Sequence, residues 1–139
     1  MWSPRSSTTF HRRHTFAPGV TAGCTRAGVA FCRTTLARWI PGLPDEIVGN
    51  AALVTAELVA NAARHAGGPR HLVLEMPAGD TVRICVTDAS PDPPLPKPPS
   101  TEGLGGYGLA IVERLTTRWG SLAADNGKAV WADVPVLRP

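Results

Sequence analysis

Residues 45–69, DEIVGNAALVTAELVANAARHAGGP, carry the clearest structural pattern in the chain. Apolar side chains recur there every three or four positions, the spacing that lines one side of an α-helix, at Ile47, Ala51, Val54, Leu58 and Ala62. Asp45 follows a proline and is suited to cap the start of this helix. The Gly-Gly-Pro at 67–69 predicts that the helix ends at about Ala66. We therefore expect a long amphipathic helix with one side in the core.

Weaker patterns on both sides of this helix predict further helices and strands. In chain order they are an edge strand within 8–17, a helix over 20–40 ended by Pro41, strands at 71–76 and 81–87 joined by a turn, a short helix from 109, and strands near 119–124 and 129–134. This order of elements argues for helices packed on one face of a sheet.

The bulk composition fits one globular domain. The chain has 139 residues, of which 43% are hydrophobic, so it can bury a core. We assign 1–7 to a disordered tail and 8–139 to the domain. The formal charge of +3 includes no basic stripe interleaved with aromatic residues, which argues against a nucleic-acid partner. Neither a membrane-spanning apolar run nor a signal peptide is visible, so we expect a cytoplasmic protein with no membrane partner.

The three cysteines, Cys24, Cys32 and Cys85, contain no Cys-x-x-Cys pair and leave an odd number. If Cys24 and Cys32 share a helix, they lie roughly 12 Å apart along its axis, which is too far for a disulfide. We expect reduced, buried thiols.

Polar residues follow one side of the central helix. Glu57, Asn61 and His65 are each four positions apart, so they share a face. A carboxylate and an amide oxygen on successive turns are suited to a hard cation such as magnesium carrying a polyphosphate. A solvated polar face with an i,i+4 hydrogen bond explains the same pair, and the spacing alone does not separate the two interpretations.

Two later segments have the chemistry of a nucleotide site. Asp88 stands where a β-rich run meets a loop, and its carboxylate there can accept a hydrogen bond from an exocyclic amine or simply form a turn. Residues 102–112, EGLGGYGLAIV, place glycines before a helix, where backbone amides can approach an anion. A flexible turn is the alternative. Neither a P-loop nor a Rossmann motif fits this segment, because no Gly-Lys-Ser/Thr follows and a proline-rich loop precedes it.

Taken together and in this order, these motifs resemble the nucleotide site shared by gyrase-type ATPases, histidine kinases and anti-sigma factor kinases. Residues 57–66, ELVANAARHA, resemble its N box, and residues 88–94, DASPDPP, resemble a variant of its first glycine box. Residues 106–112 with 118–120 resemble the second glycine box and its continuation, and 127–131, GKAVW, are similar to the strand that follows. The resemblance extends from about residue 8 and is closest to small stand-alone anti-sigma-factor-type serine/threonine kinases.

The resemblance implies a fold and a role for each motif. The fold would be a two-layer α/β (α+β) sandwich in which helices cover one face of a mixed, mostly antiparallel sheet. Asn61 would hold Mg²⁺, Glu57 would be the general base, and Asp88 would bind the adenine amino group. The remaining nucleotide-binding positions would be Arg64, His65, Ser90, Gly103, Gly105, Gly106, Tyr107, Gly108 and Leu109.

The function implied by this resemblance is phosphorylation of a Ser or Thr on an antagonist protein. Its cofactors would be ATP and Mg²⁺, and its partners a sigma factor and an anti-sigma factor antagonist. Homodimerisation through the N-terminal strand and first helix is compatible with it. Ser90 and Asp92 stand where the family has glycines, and the lid between the boxes is short and proline-rich. These departures support an alternative, a non-catalytic partner-binding module with weak or structural ATP binding.

Overall fold

The computed structural model describes residues 10–64, 68–88, 108–124 and 127–136. Its elements in chain order are β1 (His11–Thr15), α1 (Cys24–Trp39), α2 (Asp45–Ala63), β2 (Pro69–Ala78), β3 (Thr81–Asp88), α3 (Gly108–Leu115), β4 (Arg118–Ala124) and β5 (Gly127–Pro135).

The sheet has the strand order β1-β2-β3-β5-β4. Each neighbouring pair is antiparallel, and β5 lies between β3 and its own hairpin partner β4. The core lies between the helices and one face of this sheet, because α1 packs on β1 and β2, α2 on β2, β3 and β5, and α3 on β4 and β5. The predicted α+β sandwich, with helices on one face of a mostly antiparallel sheet, is confirmed, and every strand pair in the described residues is antiparallel.

The central helix α2 buries the apolar side that its sequence spacing predicts. Ala51, Val54, Leu58 and Ala62 are buried, and Ile47 packs against the same core. The prediction that Asp45 caps this helix is wrong. Pro44 occupies the capping position without a side-chain hydrogen bond, and Asp45 is the first helical residue. There its negative charge still lies close to the positive end of the helix dipole.

The first helix begins later than the apolar pattern predicts. Its first residue is Cys24 rather than Val20, and the Val20 side chain is 48% exposed. Gly19 and Gly23 have φ angles of 73° and 79°, which belong to the left-handed region and cannot continue a right-handed helix. Within α1, Gly28 lies so close to α2 that an added Cβ would be 3.1 Å from Val59 Cγ2. This glycine sets the distance between the two helices.

The three cysteines are free and buried, as predicted. Cys85 lies on the sheet face opposite the helices, in a small apolar cluster with Val73 and Ala129. Burial raises the pKa of its thiol to about 12, and burial also raises the pKa of Cys32. None of the helices in the described ranges is long and apolar enough to cross a bilayer.

Candidate functional site

The strand register gathers three chain segments at one end of the sheet. Pro69, where β2 begins just after α2, lies opposite Asp88, the last residue of β3. Asp88 in turn lies opposite Lys128 at the start of β5. The end of α2, the end of β3 and the start of β5 therefore share this end of the sheet, which we call the site end.

Asn61 on α2 is the most informative polar residue at the site end. It is only 5% exposed, and its side-chain oxygen Oδ1 has no hydrogen-bond partner among the described residues. An unsatisfied buried amide oxygen costs free energy, so native structures nearly always pair it. Glu57, one helical turn earlier, is partly buried. The pair therefore offers a partly shielded carboxylate and a buried acceptor with free hydrogen-bonding capacity.

Asp88 is buried on the helix-facing side of the sheet. It is 3% exposed, and strand alternation places it on the same face as the core residues Ile84 and Val86. Its Oδ2 lies 3.6 Å from the Nζ of Lys128, an ion pair that offsets the cost of burying the carboxylate. Next to this pair, a Cβ added to Gly127 would overlap the backbone carbonyl oxygen of Asp88 and lie 3.1 Å from its carbonyl carbon. The β5 backbone therefore holds Asp88 in place.

A family model described as the histidine kinase-like ATPase domain matches residues 25–133, from α1 almost to the end of β5. The chain belongs to this family. A search of curated proteins found no match. The membership supports ATP binding, and Asn61 and Asp88 both lie within the matched range.

Besides Asn61 and Asp88, the structure of this ATPase domain places four of the predicted site residues, in two groups. Glu57 lies on α2, and Arg64 caps the end of that helix, where it is exposed and its backbone N–H donates to the carbonyl oxygens of Ala60 and Asn61. Gly108 and Leu109 form the first turn of α3, which packs against α2. His65, Ser90, Gly103, Gly105, Gly106 and Tyr107 lie outside the described residues.

Two residues of the site end have no role in the sequence prediction, Gly127 and Lys128. Both lie in the segment that resembles the closing strand of the ATPase domain. Their importance depends on the register between β3 and β5, which pairs Asp88 with Lys128. About 40 residues separate these two positions in the sequence, and no local pattern reports which residues of two distant strands face each other. The only sequence feature that could have indicated Gly127 and Lys128 is a glycine followed by a lysine at the start of a predicted strand.

One side-chain oxygen of this ATPase domain has the burial and free hydrogen-bonding capacity that suit a ligand of Mg-ATP. Magnesium in nucleotide enzymes is bound by one or two protein oxygens together with substrate phosphates and water. Asn61 Oδ1 would supply such an oxygen, since it is buried and has no hydrogen-bond partner in the described part of the chain. The residues present therefore fit the cofactor that the family implies.

Proposed function

We propose that this ATPase domain binds Mg-ATP and phosphorylates a Ser or Thr of an antagonist protein, and that the same protein sequesters a sigma factor. The observation that carries the proposal is Asn61, whose buried Oδ1 has no hydrogen-bond partner in the described ranges and lies one turn after Glu57. Such an arrangement is costly unless a ligand supplies the missing interaction.

Different residues of the site would bind the base and the phosphates of the nucleotide. Asp88 would accept a hydrogen bond from the adenine amino group, and Asn61 would hold Mg²⁺ through Oδ1. Bound Mg²⁺ would neutralise charge on the phosphates. Arg64 and His65 would lie near the phosphates, and Gly106 and Gly108 would let the backbone approach them.

Phosphate transfer would require Glu57 in addition. Its carboxylate would accept the proton of the attacking Ser or Thr hydroxyl as the hydroxyl oxygen bonds to the γ-phosphorus. The bond from that phosphorus to the bridging oxygen breaks in the same process and releases ADP. Phosphoryl transfer depends mainly on positioning and charge neutralisation, so one orienting carboxylate suffices for this role.

The substitution Glu57→Gln tests this assignment. Gln has nearly the same size but cannot accept the proton, so the variant should bind ATP with an affinity close to that of the wild type. Transfer of ³²P from γ-labelled ATP to the antagonist, captured from the native cell, should be lost. Transfer at the wild-type rate would show that Glu57 is not the base.

A second function, partner binding without phosphate transfer, is favoured by Ser90 and Asp92 at two glycine positions of the first box. A thermal-shift titration with ATP and Mg²⁺ separates the possibilities. A ligand at a hundred times its Kd stabilises a protein by about 2.7 kcal/mol. A shift with transfer supports the kinase, a shift without transfer to any captured partner supports the binding module, and no shift at millimolar ATP contradicts the kinase.

A further inference from the structure

Lys128 is a cation held beside the residue that is expected to bind the nucleotide base. Its Nζ lies 3.6 Å from Asp88 Oδ2, and its side chain is only 18% exposed. Lysine is seldom buried to this extent unless it is paired, because its ammonium group is strongly hydrated. The two side chains extend from facing positions of neighbouring strands, so the backbone fixes them next to each other.

The pair combines an acceptor with a donor. The carboxylate of Asp88 has two oxygens with about four acceptor positions, so the contact with Lys128 does not exhaust its capacity. The ammonium of Lys128 has three N–H donors, and one contact with Asp88 leaves donors for another group. Side by side, these groups complement a ligand edge that presents a donor next to an acceptor.

Adenine has such an edge, because its 6-amino group is a donor and the neighbouring ring nitrogen N1 is an acceptor. We propose that Lys128 is a second base-reading residue, which donates to adenine N1 while Asp88 accepts from the 6-amino group. This inference rests on the proposed ATP site. It assigns to Lys128 a specificity role in addition to its charge compensation of Asp88.

A purely structural role for Lys128 predicts something different. If the ammonium only neutralises Asp88, its loss weakens the binding of every nucleotide that contacts Asp88 to the same extent. If it donates to N1, its loss affects only nucleotides that possess N1. The nucleotide 1-deaza-ATP, in which a C–H group replaces N1 and the 6-amino group is retained, separates these cases.

The experiment is a calorimetric titration of ATP and 1-deaza-ATP, each with Mg²⁺, into the wild-type chain, Lys128→Met and Lys128→Arg. Hydrogen bonds from charged donors contribute about 1.5–3 kcal/mol, so the wild type should bind 1-deaza-ATP roughly 10- to 100-fold more weakly than ATP. Lys128→Met should bind both nucleotides with equal affinity. Lys128→Arg, which retains a cationic donor, should recover part of the preference for ATP.

The outcomes distinguish this inference from the proposed function. Equal affinity of the wild type for ATP and 1-deaza-ATP would overturn the role of Lys128 and leave the ATP site intact. The same conclusion would follow if Lys128→Met kept the wild-type preference for ATP. If the wild type bound neither nucleotide, the ATP site itself would be wrong. Because the first comparison needs only the wild type, it can overturn the role of Lys128 even if a variant fails to fold.

Discussion

Replacing Gly127 with alanine should damage both stability and nucleotide binding, although it adds only one methyl group. The new Cβ would overlap the carbonyl oxygen of Asp88 and lie 3.1 Å from its carbonyl carbon. Both atoms belong to the backbone of β3, so no side-chain rotation can relieve the contact. The end of β3 must move away from β5, and Asp88 moves with it.

The expected size of this effect follows from the cost of overpacking. Forcing an extra methyl group into a packed site costs about 1–3 kcal/mol. For a chain of this length, that is a fall in melting temperature of roughly 3–5 °C per kcal/mol. Because the shift separates Asp88 from its place beside Lys128, the affinity for ATP should also fall about tenfold or more. Differential scanning calorimetry and isothermal titration measure the two effects.

Gly49→Ala is the matched control. Gly49 lies inside α2, and an added Cβ there meets no atom of the described residues within 4 Å. Alanine in a helix interior is more favourable than glycine by about 0.5–1 kcal/mol, so this variant should be more stable than the wild type and bind ATP unchanged. The reasoning is refuted if Gly127→Ala matches the wild type in melting temperature and in ATP affinity.

Two further predictions concern the sheet face opposite the helices. Asp133 is buried and accepts hydrogen bonds from Arg83 at 2.7 and 2.9 Å and from Arg118 at 3.2 Å. Asp133→Asn should lower the free energy of unfolding, measured with urea, by about 2–4 kcal/mol. The Arg118 side chain is 67% exposed, so Arg118→Met should lower it by less than about 1 kcal/mol. Equal losses in the two variants would contradict the dominant role of the buried carboxylate. Burial raises the pKa of Cys85 from 9.0 to about 12, so above pH 9 the unfolded thiol loses its proton while the native thiol keeps it. The contribution of Cys85 to the free energy of unfolding is fully present below pH 9 and is lost as the pH rises towards 12, by about 1.4 kcal/mol between pH 8 and 10. In Cys85→Ala this fall should be absent, and an equal pH dependence of the free energy of unfolding in the two proteins would contradict the prediction.

The local parts of this fold could be predicted from the sequence because they depend on short-range spacing. The stripe from Ile47 to Ala62 identified α2, and the short turn between β2 and β3 identified their hairpin. The start of α1 was misplaced because the apolar spacing from Val20 to Cys24 continues through Gly23, whereas the backbone turns there with positive φ. The limits of an apolar pattern are therefore weaker predictors than its centre.

The candidate site shows a similar division. Glu57 and Asn61 lie on one helix, so their shared face follows from their four-residue spacing. The contact between Lys128 and Asp88 follows from the pairing of β3 with β5, which the chain reaches only after α3 and β4. Burial of Asn61 Oδ1 without a hydrogen-bond partner in the described ranges also depends on tertiary packing. Neither property is encoded in a local sequence pattern.

The most direct test of Mg-ATP binding at the site end is isothermal titration of ATP, with and without Mg²⁺, into the wild type and Asn61→Ala. Since Asn61 Oδ1 makes no hydrogen bond to the described residues, the variant loses none through that atom, and its melting temperature without nucleotide is measured as the control for folding. The wild type should bind one ATP per chain, more tightly with Mg²⁺, and the variant should lose the gain from Mg²⁺. No saturable binding at millimolar ATP, or an unchanged gain from Mg²⁺ in Asn61→Ala, would contradict the proposed site.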